Sequence, residues 1–294
     1  MTARAATIAL ALAASASLPQ DQAPVYRSSV DLVSIDVSVQ RRGRAVTDLT
    51  APDFELRDNG EVQRLLSIDR ETLPIDIVLV TDLSGSVRGP LLAALTRAVN
   101  EVGRQVRASD RVRLTVFNNQ IRDLGPIDPA HVPLTIGQLG TPSGATSLFD
   151  TLTVTLVGDA TPDRRQMAVV FTDGADTQSF VDEAAVMEVA RRSEMAIFVV
   201  AVTDGTLRTP LRPPHEAWLQ SLTDVTGGRL EVVQGDGTLD ESFARAVETF
   251  RTSYVLRYTV SSGRLAGWHD VTVKVTRPGD FDVRARRGYF GGNR

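Results

Sequence analysis

The chain has 294 residues, is 42% hydrophobic, contains no cysteine and carries a net charge of −4. That length holds one large domain or two modest ones. The acidic balance excludes a strongly basic nucleic-acid binder, and the lack of cysteine excludes both a disulfide scaffold and a lipoprotein anchored through a cysteine. In chain order, residues 1–16 carry an export pattern: Arg4, an apolar stretch over 5–12, and the small-residue triplet Ala14-Ser15-Ala16. This stretch is too short to span a bilayer. It predicts a cleaved signal peptide, a mature chain starting near Ser17 in the periplasm or outside the cell, and no integral membrane segment after it. Residues 25–72 read as a β-region. Val33, Ile35, Val37 and Val39 alternate with Ser34, Asp36 and Ser38, the period of a half-buried strand. Asn59-Gly60 lies between Phe54-Glu55-Leu56 and the 62–65 segment, where it signals a hairpin.

After Pro74 the pattern changes, and 73–250 reads as a separate α/β domain. Apolar runs at 75–80, 112–117, 167–171 and 195–202 alternate with predicted helices at 89–106, 147–157, 181–193, 215–226 and 239–251. In the first helix Leu92, Leu95, Val99, Val102 and Val106 recur at three and four. Continuous apolar strands alternating with amphipathic helices predict a doubly wound, mainly parallel sheet covered on both faces. Residues 251–294 return to period two, as in Tyr254, Leu256, Tyr258 and Val260, then Val271, Val273 and Val275. Neither flank is large enough to stand alone. Together they are expected to form one small β-module into which the α/β domain is inserted.

The chemistry gathers where apolar runs end. The run Ile77-Val78-Leu79-Val80-Thr81-Asp82-Leu83-Ser84-Gly85-Ser86 passes from a buried strand into a carboxylate and two hydroxyls, with Gly85 allowing a sharp bend between the serines. Thr146 lies in Ser143-Gly144-Ala145-Thr146-Ser147, and Asp173 follows the 167–171 run. Open parallel sheets bind ligands outside the carboxyl ends of their strands, so these donors read as a divalent-cation site. Each also has an ordinary explanation: a Ser/Gly turn, a helix cap at Thr146, or a loop turn at Asp173-Gly174. Asp176 is read as ordering its loop or capping the next helix, and Asp150 as a supporting or surface acid on a helix.

This set resembles the von Willebrand factor A-type domain with its metal-ion-dependent adhesion site. The family pattern is Asp-x-Ser-x-Ser after the first strand, a threonine in a glycine-rich loop, and an aspartate after the fourth strand. Asp82, Ser84, Ser86, Thr146 and Asp173 match it in order. The flanks, through Val46-Thr47-Asp48-Leu49, Asp53-Phe54-Glu55 and the segment from Val283 to Phe290, resemble exported bacterial proteins related to that family and common in acidobacteria. The all-oxygen donor set favours Mg²⁺, with Mn²⁺ or Ca²⁺ as alternatives, over Zn²⁺ or Cu²⁺. The resemblance implies a non-enzymatic module: an Asp or Glu carboxylate of a partner protein completes the shell of the bound cation. A scaffold in which the metal only steadies loops is the alternative.

Enzymatic readings find little support. An aspartyl-phosphate enzyme typically carries a second Asp two positions after the first, where this chain has Ser84, and the single lysine is Lys274 in the terminal β-region. His131, His215 and His269 are the only histidines, none in a nucleophile setting, and each is expected in a loop or at the surface. No phosphate-binding Gly-Lys-Ser/Thr loop is present.

Overall fold

The computed structural model describes residues 30–70, 73–127, 134–158, 161, 163–203, 213–235, 238–261 and 266–291. The expected signal peptide and His131 lie outside these residues. The amino-terminal flank contains β1 (Val30–Arg41), β2 (Arg44–Ala45), β3 (Phe54–Asp58), β4 (Glu61–Val62) and β5 (Ser67–Arg70). Asn59 and Gly60 both take positive φ, 48° and 82°, the geometry of a two-residue turn whose twist matches its strands.

The α/β unit follows as β6 (Ile75–Asp82), α1 (Pro90–Gln105), β7 (Arg111–Phe117), β8 (Ile121–Pro126), α2 (Ile136–Leu139), α3 (Leu148–Val157), β9 (Arg165–Thr172), α4 (Glu183–Arg192), β10 (Ala196–Thr203), α5 (Pro213–Thr226), β11 (Leu230–Gln234) and α6 (Leu239–Arg251). Its sheet runs β11-β10-β9-β6-β7-β8. All neighbours are parallel except β8, which folds back antiparallel on β7. Helices cover both faces. Ile77 and Leu79 pack with Leu95, Val99, Phe243 and Val247 on one side, while Val80, Val170 and Ile197 pack with Leu152, Val186 and Leu222 on the other. Burial on both faces is why these strands read as unbroken apolar runs. The edge strand β8 has no such run, since most of its residues are exposed, and the sequence did not reveal it. The chain leaves β6 through α1 towards β7 and later returns through α3 to β9 on the other side. The strand order thus reverses between β6 and β9, and open sheets of this kind bind ligands at the carboxyl ends of the strands at such a point.

The carboxy-terminal flank supplies β12 (Tyr254–Ser261), β13 (Gly267–Val275), β14 (Asp282–Ala285) and β15 (Gly288–Gly291). β12 pairs antiparallel with β1, and β13 with β3. The strands form two sheets, β14-β1-β12-β5 with β2 beside β1, and β15-β13-β3-β4. Both enclose a core of Ile35, Val37, Leu56, Tyr254, Leu256 and Tyr258.

One expectation is corrected here. His269 is neither in a loop nor at the surface but on β13, 3% exposed. Its Nδ1 lies 2.7 Å from Asp58 Oδ1, and Asp58 Oδ2 accepts from the Tyr258 and Tyr289 hydroxyls at 2.8 Å each. His269 shares the parity of Val271, Val273 and Val275. The strand's alternation therefore turns it inward, where burial requires the partners it has.

The β-module meets the α/β sheet at the amino ends of its strands. Arg165, which opens β9, donates from Nε to Asp36 Oδ1 of β1 at 2.6 Å and from its terminal nitrogen to the Phe250 carbonyl at 2.7 Å. Arg164 donates to Asp76 at 2.6 Å, and Arg251 to Asp110 at 2.8 Å.

Candidate metal centre

Asp82 is the last residue of β6 and fully buried, and Asp173 follows β9 directly at 2% exposure. The two strands are neighbours in parallel register, with Thr81 opposite Phe171. Two carboxylates thus leave adjacent strand ends together. Burial, and then the charge of Asp173, push the Asp82 carboxyl up to about 7. Burial also raises Asp173, opposed by a hydrogen bond from the Ser86 side chain. Two acids at one buried site disfavour each other's ionised form until a cation joins them.

The surrounding donors are held in place. The Ser84 backbone N–H donates to Asp82 Oδ1 at 2.7 Å, and the Ser84 and Ser86 hydroxyls are 3.1 Å apart. Ser84 is 3% exposed, whereas Ser86 faces solvent. Thr172, which sequence reasoning passed over, places its hydroxyl 3.4 Å from Asp82 Oδ2 and 2.9 Å from the Gly174 carbonyl. Its signal was its place immediately before Asp173.

The loop of Thr146 is stitched to the loops that follow Asp82 and Asp173. Gly85 N–H donates to the Gly144 carbonyl at 3.0 Å and Ser143 N–H to the Leu83 carbonyl at 3.0 Å. On the other side Thr177 N–H donates to the Thr146 carbonyl at 2.9 Å, and Thr146 N–H donates to the Thr177 hydroxyl at 2.9 Å. Gly144 has φ +76°, and a side chain there would begin 2.6 Å from Asn119 Oδ1. The turn therefore demands glycine. Ser147, not Thr146, is the N-cap of α3, so the capping explanation for Thr146 does not apply. Asp176 orders its own loop, accepting from the Ser179 hydroxyl and from Phe149 N–H. Asp182, not Asp176, caps α4, through Ala185 N–H. Asp150 accepts from Phe180 N–H and Val181 N–H. His215 lies on α5, 3.8 Å from Glu183 Oε1.

These residues fit a hard divalent cation. Among the described residues no cluster of three or more His, Cys, Asp or Glu is placed to hold a metal, so an ion here would rest on two carboxylates and neutral hydroxyls. Asp173 Oδ2 is buried with no hydrogen-bond partner. An orphaned carboxylate oxygen in the interior is costly unless something positive meets it. The oxygen-only set suits Mg²⁺-like ions.

Residues 76–213 match the family model for the von Willebrand factor type A domain. Among solved structures, the chain is similar to a von Willebrand factor type A protein from Catenulispora acidiphila. The two are 12% identical with a TM-score of 0.53, over 89% of this chain and 73% of that one. It is also similar to proximal thread matrix protein 1 from the mussel byssus, solved with a zinc-occupied MIDAS motif. That pair is 12% identical with a TM-score of 0.50, over 63% of this chain and 50% of the other, so the match spans half the byssus protein's length. At this identity the likeness is one of fold. No curated protein matches the chain significantly. Among the described residues no helix is long and apolar enough to cross a membrane.

Proposed function

We propose, from the premise that residues 76–213 form a von Willebrand factor type A domain, that the protein is a metal-dependent binding module capturing an acidic group of a partner protein. The observation that carries this reading is the pair of buried, mutually unfavourable carboxylates, one with an oxygen left unpartnered. Asp82 and Asp173 would supply counter-charge, and Ser84, Ser86 and Thr146 neutral hydroxyls. A divalent ion held by two charges and three hydroxyls supplies an open coordination position that attracts an external carboxylate. The buried Asp82, Ser84 and Thr146 exclude bulk water from one side of the site, while exposed Ser86 marks the side from which a partner approaches. Mg²⁺ is the expected ion. Zinc in the byssus protein's MIDAS motif makes Zn²⁺ the competitor to include in any titration.

Calorimetric titration of the full chain with Mg²⁺ and Mn²⁺ tests the site. Asp82→Ala should weaken ion binding at least about tenfold, since it removes one of two charges. Equal affinity in wild type and variant would sink the proposal. The export pattern at residues 1–16 supports an activity beyond the cytoplasmic membrane. Envelope protein sequenced from its amino terminus should begin near Ser17, and an intact Met1 on cytoplasmic protein would overturn that placement.

A further inference from the structure

Phe180 is 100% exposed, the most exposed of the chain's large apolar side chains among the described residues. A single exposed apolar residue is ordinary on a protein surface, but the backbone beneath this one is unusually fixed. Phe180 N–H donates to both oxygens of Asp150, at 3.0 and 3.1 Å, and Val181 N–H adds a third bond to the same carboxylate at 3.1 Å. Just upstream, Ser179 N–H and the Ser179 hydroxyl both donate to Asp176. Two carboxylates thus clamp three successive loop residues, Ser179, Phe180 and Val181, and the product is a bare aromatic ring in solvent.

The loop that carries the ring is tied to the loops of the candidate metal centre. It begins at Asp173, and Thr177 in the same loop holds Thr146 through both its backbone and its hydroxyl. Asp150 lies in the first turn of α3, the helix that follows the Thr146 loop directly. At the Ser84–Ser86 loop, the Arg88 guanidinium folds back to 3.3 Å from where a Gly85 side chain would begin. Arg88 is exposed and forms no ion pair with any described residue. In a chain of net charge −4, an exposed arginine next to the Ser84–Ser86 loop complements an acidic ligand.

We infer that Phe180 and Arg88 determine which acidic partner the centre accepts: a protein segment whose metal-seeking Asp or Glu is flanked by an apolar side chain or pocket that covers Phe180. This inference rests on the adhesion-type reading above. Rigid aromatics at the centre of an interface carry much of its energy because they bury a large area at little cost in conformational freedom. Rim arginines instead set attraction and salt dependence. The clamp formed by Asp150 and Asp176 fixes the Phe180 backbone before binding, so less ordering remains to be done when a partner arrives.

The test is a displayed random-peptide library selected on the immobilised full chain in Mg²⁺, followed by affinity measurements with the most enriched peptide. Enriched sequences should pair an Asp or Glu with an aromatic or aliphatic residue a few positions away. Phe180→Ala should weaken that peptide roughly tenfold to thirtyfold, with Mg²⁺ affinity unchanged. Arg88→Ala should weaken it a few-fold, mostly through the association rate and its salt dependence. Because the ring is fully exposed, its removal does not threaten folding. If metal-dependent peptides emerge without an apolar preference and bind Phe180→Ala as tightly as wild type, this inference falls while the metal reading stands. If no metal-dependent peptide emerges, or if Asp82→Ala retains full peptide affinity, both fall. The inference is also overturned if Phe180→Ala abolishes only self-association or only binding to lipid vesicles, because the ring's occupant is then a second copy or a membrane.

Discussion

The amino edge and the carboxyl edge of the six-stranded sheet bury acids in opposite ways. At the amino edge Asp110 meets Arg251, Asp76 meets Arg164, and Asp36 of the β-module meets Arg165. The Asp110–Arg251 pair is almost wholly enclosed, with side chains 1% and 8% exposed, and Asp110 also accepts from Ile75 N–H and Arg107 N–H. At the carboxyl edge Asp82 and Asp173 are as deeply buried, yet neither forms an ion pair with any described residue, and one oxygen has no partner. A buried charge that is paired holds structure together, whereas one left unpaired favours taking up a proton or a cation. The amino edge joins the β-module to the α/β sheet through ion pairs, and the carboxyl edge leaves its two buried acids without one among the described residues.

The sharpest way to break this comparison is to remove one acid from each edge. Asp110→Ala leaves Arg251 buried without a counter-charge and two backbone donors unmet. It should cost about 3–5 kcal/mol, read as a lower urea midpoint. Its mirror, Asp173→Asn in chelator, should change stability by less than about 1 kcal/mol or raise it, because a repulsion is relieved. If Asp173→Asn destabilises the metal-free protein as much as Asp110→Ala does, the two edges are not different in kind.

A second, smaller effect should run in opposite directions with pH. Burial alone would raise Asp110, but hydrogen bonds from Ile75 N–H, Arg251 and Arg107 N–H outweigh it and hold the carboxyl below its usual range. Its contribution is therefore present above the unfolded value of about 4 and is lost as pH falls through the lower folded value. Asp82 is raised to about 7, so its contribution is present below about 4 and is lost as pH climbs through about 7. At roughly 1.4 kcal/mol per pH unit, that loss amounts to a few kcal/mol. Urea midpoints in chelator at pH 5 and pH 8 should show a decline in wild type that is smaller in Asp82→Asn, where only Asp173 remains raised. Mg²⁺ at pH 8 should restore what wild type has lost. Parallel declines in the two proteins would remove Asp82 as the cause.

The carboxyl edge was more legible in the sequence than the amino edge. Asp82 and Asp173 end long apolar runs, and a strand covered on both faces must turn polar where it leaves the core, so their positions show in the one-dimensional pattern. The α/β alternation was visible for the same reason: β6, β9 and β10 lie at or within two residues of their predicted ends. The Asp110–Arg251 and Asp36–Arg165 pairs were not legible, because their partners are 141 and 129 residues apart and no local pattern links them. The edge strand β8 was missed because its residues are largely exposed. His269 was misplaced because a lone polar residue on an apolar face looks like a strand end until its partner on another strand is known.

The sequence by itself determined which residues could serve as oxygen donors and that two of them end strands, because burial and chain direction write that order locally. Only the tertiary structure decided that these ends are neighbours, that hydrogen bonds tie the Thr146 loop to the loops after both, and that Asp173 Oδ2 finds no partner. It also decided that Asp150 and Asp176 clamp Phe180 into solvent. Adjacency and satisfaction are properties of packed, distant segments, and hydrophobic periodicity carries no information about them.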